Sequence, residues 1–292
     1  MPTAPRPGLG RLPVGSPDNP ATEERSLTDG SDLEWLGLER SGPRHWTFEL
    51  LPALSRLDGK FYGGTGIAVA TAVMEAETGR RALWSSVQFV SSAITGDHFD
   101  CRVEVLAEGR RTSQLRVSGW HDDRLVFAGL GATGEARPGP VEASFGHMPE
   151  LPAPQDCPPW APLAAFGGGG GRPGWLAITD AREADRTGSM WMRIEGRPLT
   201  PAAMAFLADV VPNGTLRAAG RVGAGTSLDN TLRFGRPPDG DWMLVEMDPH
   251  MVSGGYVHGA ARLWTEDGEL VGIASQTAGV MLFDKDPDGP QA

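Results

Sequence analysis

Two stretches of this chain repeat each other, and the repeat limits the possible folds more than any other feature. Residues 116–126 (RVSGWHDDRLV) resemble residues 261–271 (ARLWTEDGELV). The matched residues are Trp120 with Trp264, Asp123 with Asp267 and Leu125 with Leu270. The sequence therefore predicts two copies of one α+β unit. Because the edge of a sheet needs to be covered or paired, we expect the two copies to join side by side into one longer sheet.

The predicted elements follow a similar order in both halves. In the first half, a helix is predicted at residues 67–77, which are rich in alanine and end before Gly79, a glycine stop. The strands of this half are predicted at residues 46–51, 83–90, 99–107, 112–121 and 124–132. Those of the second half are predicted at residues 175–181, 190–194, 227–236, 242–247, 256–264 and 269–281. Each half is therefore expected to be a helix wrapped by an antiparallel sheet.

Composition divides the chain into four segments. Residues 1–30, rich in proline, glycine and charge, predict a disordered tail, and residues 138–173, rich in proline and glycine without a sustained period, predict a linker. Between and beyond them lie the predicted N-terminal unit, residues 31–137, and the predicted C-terminal unit, residues 174–284, which is expected to hold the catalytic residues.

Charge and hydropathy exclude several classes of partner. The formal net charge is −11 and the pI is near 5.0, which argues against a nucleic-acid partner and against binding to an anionic membrane. No run of residues approaches the roughly 20 apolar residues of a membrane span, and the N-terminus has no hydrophobic signal core. We expect a cytoplasmic protein whose two cysteines, Cys101 and Cys157, are reduced and structural.

Several common catalytic patterns are missing from the sequence. The six histidines show no metal-ligand spacing, no serine lies in a G-x-S-x-G motif, and no aspartate has a histidine five residues further on, which counts against a lyase that pairs the two. Gly64-Thr65-Gly66 is a fragment of a dinucleotide fingerprint, but its third glycine is missing and an antiparallel meander follows. We therefore expect neither a cofactor nor a metal.

One acid interrupts an otherwise apolar segment of the second half. Thr200 can cap a helix, Pro201 suits its first position, and Pro212 is expected to mark its end. Every residue at positions 202–211 is apolar except Asp209. A carboxylate in such a place needs hydrogen-bond partners or a site that uses its charge. The alternative, left open here, is that Asp209 turns towards solvent and bonds a turn at residues 213–214.

Several motifs, taken in order, resemble the acyl-CoA thioesterase II family over roughly residues 48–282. They are Gly63-Gly64 at the start of the first helix, FLAD at 206–209, SLDNTLRFGRP at 227–237, GAARLW at 259–264 and ASQTAGV at 274–280. This resemblance implies the double hot-dog fold, an α+β architecture of two tandem units in one long sheet.

The resemblance also implies a catalytic site. In this family an aspartate, a serine or threonine and a glutamine hold a water molecule, and the matching residues are Asp209, Ser227 and Gln276. Asp209 would be the base, its pKa raised by apolar surroundings, while Ser227 and Gln276 would orient the water. Taken alone, Ser227 could simply pair within its strand, and Gln276 could lie on a solvated sheet face.

Substrate binding is expected where the first helix begins. Backbone N–H groups around Gly63, Gly64 and Thr65 are suited to polarise a thioester carbonyl, since glycine permits close approach and a helix N-terminus carries positive potential. The Gly63-Gly64 pair could equally be only a tight turn into a helix. The arginines considered for CoA phosphates are Arg80, Arg81, Arg110, Arg111, Arg233 and Arg236, none of them preferred.

The predicted function is hydrolysis of a fatty or related acyl-CoA, or of an acyl-carrier thioester, by direct attack of water. The alternative is a non-catalytic protein that binds acyl thioesters or acts as a scaffold with the same fold. Exposed sheet edges further predict a homodimer or a higher homo-oligomer.

Overall fold

The computed structural model describes residues 31–136, 139, 141–160, 172–236 and 238–283. The predicted tail, residues 1–30, lies outside them, as do residues 161–171 of the predicted linker. Among the described residues, no helix is long and apolar enough to cross a membrane.

Twelve strands are described, with four α-helices. The strands are β1 (Glu39–Gly42), β2 (His45–Glu49), β3 (Arg81–Phe89), β4 (His98–Glu108), β5 (Thr112–His121), β6 (Arg124–Gly134), β7 (Thr179–Glu183), β8 (Met190–Ile194), β9 (Gly223–Phe234), β10 (Met243–Ser253), β11 (Tyr256–Trp264) and β12 (Leu270–Leu282). The helices are α1 (Ser31–Trp35), α2 (Gly63–Thr78), α3 (Pro201–Leu207) and α4 (Val211–Ala218). Apart from the second-half helix and the first second-half strand, most predicted elements are confirmed to within a few residues. The strand predicted at residues 242–247 continues to Ser253, and α1 and β1 were not predicted.

All twelve strands form one antiparallel sheet in the order β1-β2-β4-β5-β6-β3-β9-β12-β11-β10-β8-β7. Strands β1 to β6 belong to the first half and β7 to β12 to the second, and the halves meet where β3 pairs with β9. The middle pair of that junction is Ser86 with Thr231, whose hydroxyl oxygens lie 2.7 Å apart. The predicted double hot-dog fold, with two units joined into one sheet, is confirmed.

The repeat seen in the sequence is a repeat of local geometry. Trp120 pairs with Leu125 across one turn, and Trp264 pairs with Leu270 across the other. A β-bulge precedes the tryptophan in both cases, and bulges bend a strand at a defined position. The two units therefore share the residue pattern of these hairpins together with the irregularity that shapes them.

Helix α2 is the central helix of the first unit. Its residues 63–75 are all buried, and it ends at Gly79, which adopts the left-handed conformation with φ +62° that a glycine stop provides. The helix lies against strands of its own unit and against α3 of the second unit. Its N-terminus thereby reaches the boundary between the two units.

The second-half helix differs from the prediction. Instead of one helix ended by Pro212, the chain forms α3, a short connection, and then α4, in whose first turn Pro212 lies. Proline is tolerated there because the first N–H groups of a helix have no partner within the helix. The expected turn at residues 213–214 is helical for the same reason. Pro212, which was predicted to end a helix, lies instead where the next helix begins.

The first strand of the second half was also predicted wrongly in part. Residues 175–181 divide into a 3₁₀ turn, Gly174–Ala177, and the beginning of β7. Trp175 belongs to the 3₁₀ turn instead of a strand, and its side chain is buried in the core.

Candidate active site

Asp209 lies in the connection between α3 and α4, at the boundary between the two units. Thr200 caps α3 by accepting a hydrogen bond from the N–H of Ala203 at 3.1 Å. Every residue of α3 is buried, so the helix is fixed on all sides and delivers Asp209 to the N-terminus of α2. Asp209 is 6% exposed and its carboxylate is hydrogen-bonded inside the protein, which excludes the alternative in which it turns towards solvent.

Four donors converge on the Asp209 carboxylate. The N–H of Gly64 donates to Oδ2 at 2.7 Å, while the Asn230 amide at 3.1 Å and the Ser227 hydroxyl at 3.4 Å donate to Oδ1. The Gln276 amide also donates to Oδ1, and it donates to Ser227 Oγ at 2.9 Å. The structure thus brings Asp209, Ser227 and Gln276 into one hydrogen-bonded group.

Asn230 was not predicted from the sequence. It is fully buried on β9, opposite Gln276 on β12 and Val87 on β3. A β-bulge at Leu228 lets Ser227 and Asn230, three residues apart, both face Asp209. The signal in the sequence was an amide two residues before Leu232 in a strand of alternating polar and apolar residues. Because the bulge changes which residues face inward, a strict two-residue period does not identify Asn230.

The electrostatics of this group suit a base that works near neutral pH. Burial raises the pKa of Asp209 to about 7, and the hydrogen bonds from Gly64, Gln276, Ser227 and Asn230 oppose that rise. Burial, together with the Asp209 charge, also raises the pKa of Tyr62, whose hydroxyl donates to the Phe206 carbonyl at 3.1 Å. Tyr62 therefore stays neutral beside the carboxylate.

Two acceptors in the group are unused. Asn230 Oδ1 and Gln276 Oε1 are buried without a hydrogen-bond partner among the described residues. Buried polar atoms are nearly always paired with protein or ordered water, so such orphans need an explanation. The chemistry of the group fits a small polar molecule that both donates and accepts.

The two glycines at the start of α2 have different surroundings. A Cβ added to Gly63 would lie 2.8 Å from Asp209 Oδ2 and 3.0 Å from Ser227 Oγ, so its bare backbone faces the carboxylate. A Cβ on Gly64 would meet the Phe206 carbonyl oxygen at 2.4 Å, so Gly64 allows α2 to approach α3. Among the described residues the N–H of Gly63 has no hydrogen-bond acceptor, whereas that of Gly64 is bound to Asp209.

Thr65 is placed differently from its two neighbours. Its side chain is fully buried, its hydroxyl donates to the Leu54 carbonyl at 2.6 Å, and its N–H donates to the Tyr62 carbonyl at 3.0 Å. It holds the first turn of α2 in place and does not line the cavity described next.

A cavity of about 690 Å³ opens beside Asp209. Gly63, Asp209 and Ser227 form part of its wall, and the buried side chains of Tyr62, Trp160 and Trp175 form another part. Exposed residues mark its mouth, and they are Asp58, Lys60, Val90, Ser92, Thr226, Leu228 and Phe283. An apolar cavity with a few convergent polar groups is the usual form of a small-molecule site.

The cations near this cavity are not the arginines considered from the sequence. Arg80 bonds Gly109 and Arg110 carbonyls, and Arg236 pairs with acidic side chains; none of the six lines the cavity. Arg56 and Lys60 line it instead, on either side of Asp58. The described residues contain no cluster of side chains suited to hold a metal.

The corresponding place in the first unit is filled. Gly131 pairs with Ser85 there, as Gln276 pairs with Asn230 in the second unit. A Cβ on Gly131 would lie 2.5 Å from the sulfur of Met74, so this methionine occupies the space that a longer side chain would need. Ser85 bonds Thr71 at 3.1 Å, and no acid is present at residues 67–74. Of the two related positions, the one in the second unit carries the acid, Asp209.

Comparison with known proteins points in one direction. The family model of the acyl-CoA thioesterase N-terminal domain matches residues 53–134, and that of the acyl-CoA thioesterase C-terminal domain matches residues 148–280. No curated protein matches the chain.

Solved structures are similar over most of the chain. A candidate thioesterase from Novosphingobium aromaticivorans is 30% identical, with a TM-score of 0.74, over 85% of this chain and 98% of that one. A tesB protein from Mycobacterium avium subspecies paratuberculosis is 23% identical (TM-score 0.70; 87% of this chain and 99% of that one). An acyl-CoA thioesterase II from Mycobacterium marinum is 20% identical (TM-score 0.68; 86% and 98%), and these last two likenesses concern the fold.

Proposed function

The chain belongs to the acyl-CoA thioesterase family and is a thioester hydrolase, and from this premise we propose that it hydrolyses a fatty or related acyl-CoA to free acid and CoA. The attacking group is a water molecule held by Asp209, Ser227 and Gln276. The observation that carries the proposal is the buried Asp209 carboxylate, which has a pKa of about 7 and lies against the bare backbone of Gly63 in the cavity wall.

The proposed reaction begins with the water. Asp209 accepts one proton from the water while the oxygen of the water forms a bond to the thioester carbonyl carbon. Ser227 and Gln276 fix the orientation of the water, and the unused acceptors on the Gln276 and Asn230 amides can accept from it. A thioester carbonyl is electrophilic enough for this attack, so no covalent nucleophile is needed.

The negative charge that develops on the carbonyl oxygen then needs donors. In the proposal the free N–H of Gly63, at the positive end of the sixteen-residue helix α2, donates to it. Gly64 keeps Asp209 in place through its own N–H, and Thr65 anchors the turn that carries both. When the intermediate collapses, the C–S bond breaks and the leaving thiolate takes the proton from Asp209.

The carrier of the acyl group is proposed to be recognised at the mouth of the cavity. CoA and acyl-carrier thioesters both bear phosphate groups, and the protein's net charge of −11 disfavours anions unless cations are placed locally. Arg56 and Lys60 line the cavity and share one acidic partner, Asp58, so that the three side chains together leave a net positive charge for a phosphate. The phosphate contact is therefore assigned to these two residues.

Release of free CoA from a panel of acyl-CoA substrates tests the function, with Asp209→Asn measured in parallel. Hydrolysis by the natural chain and a loss of roughly a hundredfold or more in kcat/KM for Asp209→Asn are expected, because general base catalysis commonly contributes that much. Full activity in the variant would remove Asp209 from the mechanism. Binding without release of CoA from any substrate would favour the non-catalytic alternative.

We also propose that the enzyme acts in lipid metabolism in the cytoplasm as a homodimer or a larger homo-oligomer. Edge strand β1 leaves backbone groups open at one end of the sheet, and such edges are commonly covered by association. A monomeric mass in solution at micromolar concentration would contradict the predicted assembly.

A further inference from the structure

The segment between the two units is more than a connector. Its described part, residues 141–160, ends in an antiparallel contact with β7, where Pro159 pairs with Arg182. The N–H of Glu183 donates to the Pro158 carbonyl and that of Trp160 to the Ala181 carbonyl, both at 2.9 Å. The segment therefore extends the sheet at its edge and is fixed there by backbone hydrogen bonds.

Within a few residues this segment passes from one hydrophobic cluster to another. Cys157 packs with Trp191 and Trp264 in a small cluster, and the Trp191 indole donates to the Pro152 carbonyl at 2.9 Å. Trp160, three residues after Cys157, belongs to the main core instead. Contacts with the small cluster and with the main core therefore fix the position of this segment.

A row of three aromatic rings leads from this segment to the reaction centre. The Trp160 and Trp175 rings lie 6.0 Å apart, and Trp175 stacks on Tyr62 at 5.4 Å and 11°. Tyr62 immediately precedes Gly63, whose backbone faces Asp209. The three rings are 4–6% exposed, and all three line the cavity. They form a continuous, buried aromatic part of its wall, called the aromatic wall.

We propose that Trp160 closes the acyl-binding end of the cavity and sets the longest or bulkiest acyl group that the enzyme accepts. This inference rests on the proposed function, since it assigns the substrate's acyl group to the aromatic wall and its charged carrier to the exposed part of the cavity with Lys60. The aromatic wall suits an acyl group because transfer of each methylene from water into apolar surroundings is favourable. The specificity of the site is thus set by a residue that lies outside the twelve strands and the four α-helices.

A graded series at position 160 tests the inference in the full-length chain. We would measure kcat/KM for acyl-CoA substrates from butanoyl to stearoyl with Trp160→Phe, Trp160→Leu and Trp160→Ala. The ratio of kcat/KM for long over short substrates is expected to rise in that order, by roughly fourfold for each additional methylene that becomes buried. Leu151→Ala is the matched control, because Leu151 lies in the same segment but packs on the small cluster away from the cavity, and its ratio is expected to stay that of the natural chain.

Two results would overturn the inference. One is an unchanged ratio in all three variants; the other is an equal fall in kcat/KM for every chain length, which would mean that Trp160 contacts the carrier or only supports the fold. Thermal unfolding of each variant identifies a folding defect, and Trp160→Phe keeps most of the packing if Trp160→Ala does not fold.

A second readout separates this inference from the proposed function. If the natural chain hydrolyses no acyl-CoA, the proposed function fails, and titration with non-hydrolysable acyl-CoA thioethers still measures how affinity depends on chain length. The inference predicts that the Kd for long thioethers falls relative to short ones in Trp160→Ala. A constant relation between the two would refute it on its own.

Discussion

Removal of the Asn230 amide should move the pH dependence of hydrolysis, because this amide stabilises the ionised form of Asp209. Asn230 donates to Asp209 Oδ1 at 3.1 Å inside a fully buried site. A hydrogen bond to a charged group contributes about 1.5–3 kcal/mol, and each pH unit corresponds to about 1.4 kcal/mol. Since Asn230 is one of four donors, we expect the lower end of that range in Asn230→Ala, a rise of about one pH unit in the midpoint.

The sign follows from the role of Asp209 as a base. Hydrolysis requires the carboxylate, so kcat/KM should rise with pH through the Asp209 pKa of about 7 and then level off. In Asn230→Ala the rise should occur at higher pH, with activity near pH 6 reduced roughly tenfold and activity on the alkaline plateau largely retained.

The assay is kcat/KM for one acyl-CoA over the range from about pH 5 to pH 9, with the midpoint as the readout. Thr231→Ala is the matched control, since Thr231 is the next residue of β9 and its hydroxyl contacts Ser86 rather than Asp209. Its midpoint should equal that of the natural chain. Equal midpoints for Asn230→Ala and the natural chain, or a uniform loss at every pH, would refute this account of Asn230.

Two further predictions concern Gly63 and Glu75. Gly63→Ala should lower kcat/KM roughly a hundredfold and the free energy of unfolding by about 1–3 kcal/mol, since the added Cβ would lie 2.8 Å from Asp209 Oδ2 in a buried site and displace the reacting groups; retained activity would contradict the proposed position of the water. Burial raises the pKa of Glu75 from 4.5 to about 7, so the folded state binds the extra proton in that interval and the free energy of unfolding should fall as pH rises through it. In Glu75→Gln, up to about 3 kcal/mol of this fall in the free energy of unfolding between pH 5 and pH 8 should be absent from urea titrations. An identical pH dependence in the variant and the natural chain would disprove the prediction.

The repeat and the alternating strands were sufficient to predict the architecture. Hydrophobic periodicity is a property of local sequence, and the strand irregularity before Trp120 recurs before Trp264, although the turns that follow differ in length by one residue. Pro212 shows the limit of such local rules, because a proline suits both the end and the start of a helix and only the surrounding packing decides between them.

The candidate site could be predicted where a polar residue stands alone in an apolar stretch, as Asp209 does. Asn230 escaped because the bulge at Leu228 changes which residues of β9 face inward, and a bulge is set by pairing with another strand. Trp160 escaped because its segment has no regular period, and its place depends on a contact with β7 that is remote in sequence. Both residues were therefore missed because their positions depend on tertiary structure.

The central claim is that water, not a protein side chain, attacks the thioester. A single turnover with excess enzyme in water enriched in oxygen-18 tests it most directly, with mass spectrometry of the fatty acid and of the peptide that contains Asp209. The account predicts one labelled oxygen in the acid from the first turnover and none in the Asp209 carboxylate. An unlabelled acid together with a labelled Asp209, or an acyl group trapped on the protein, would contradict it.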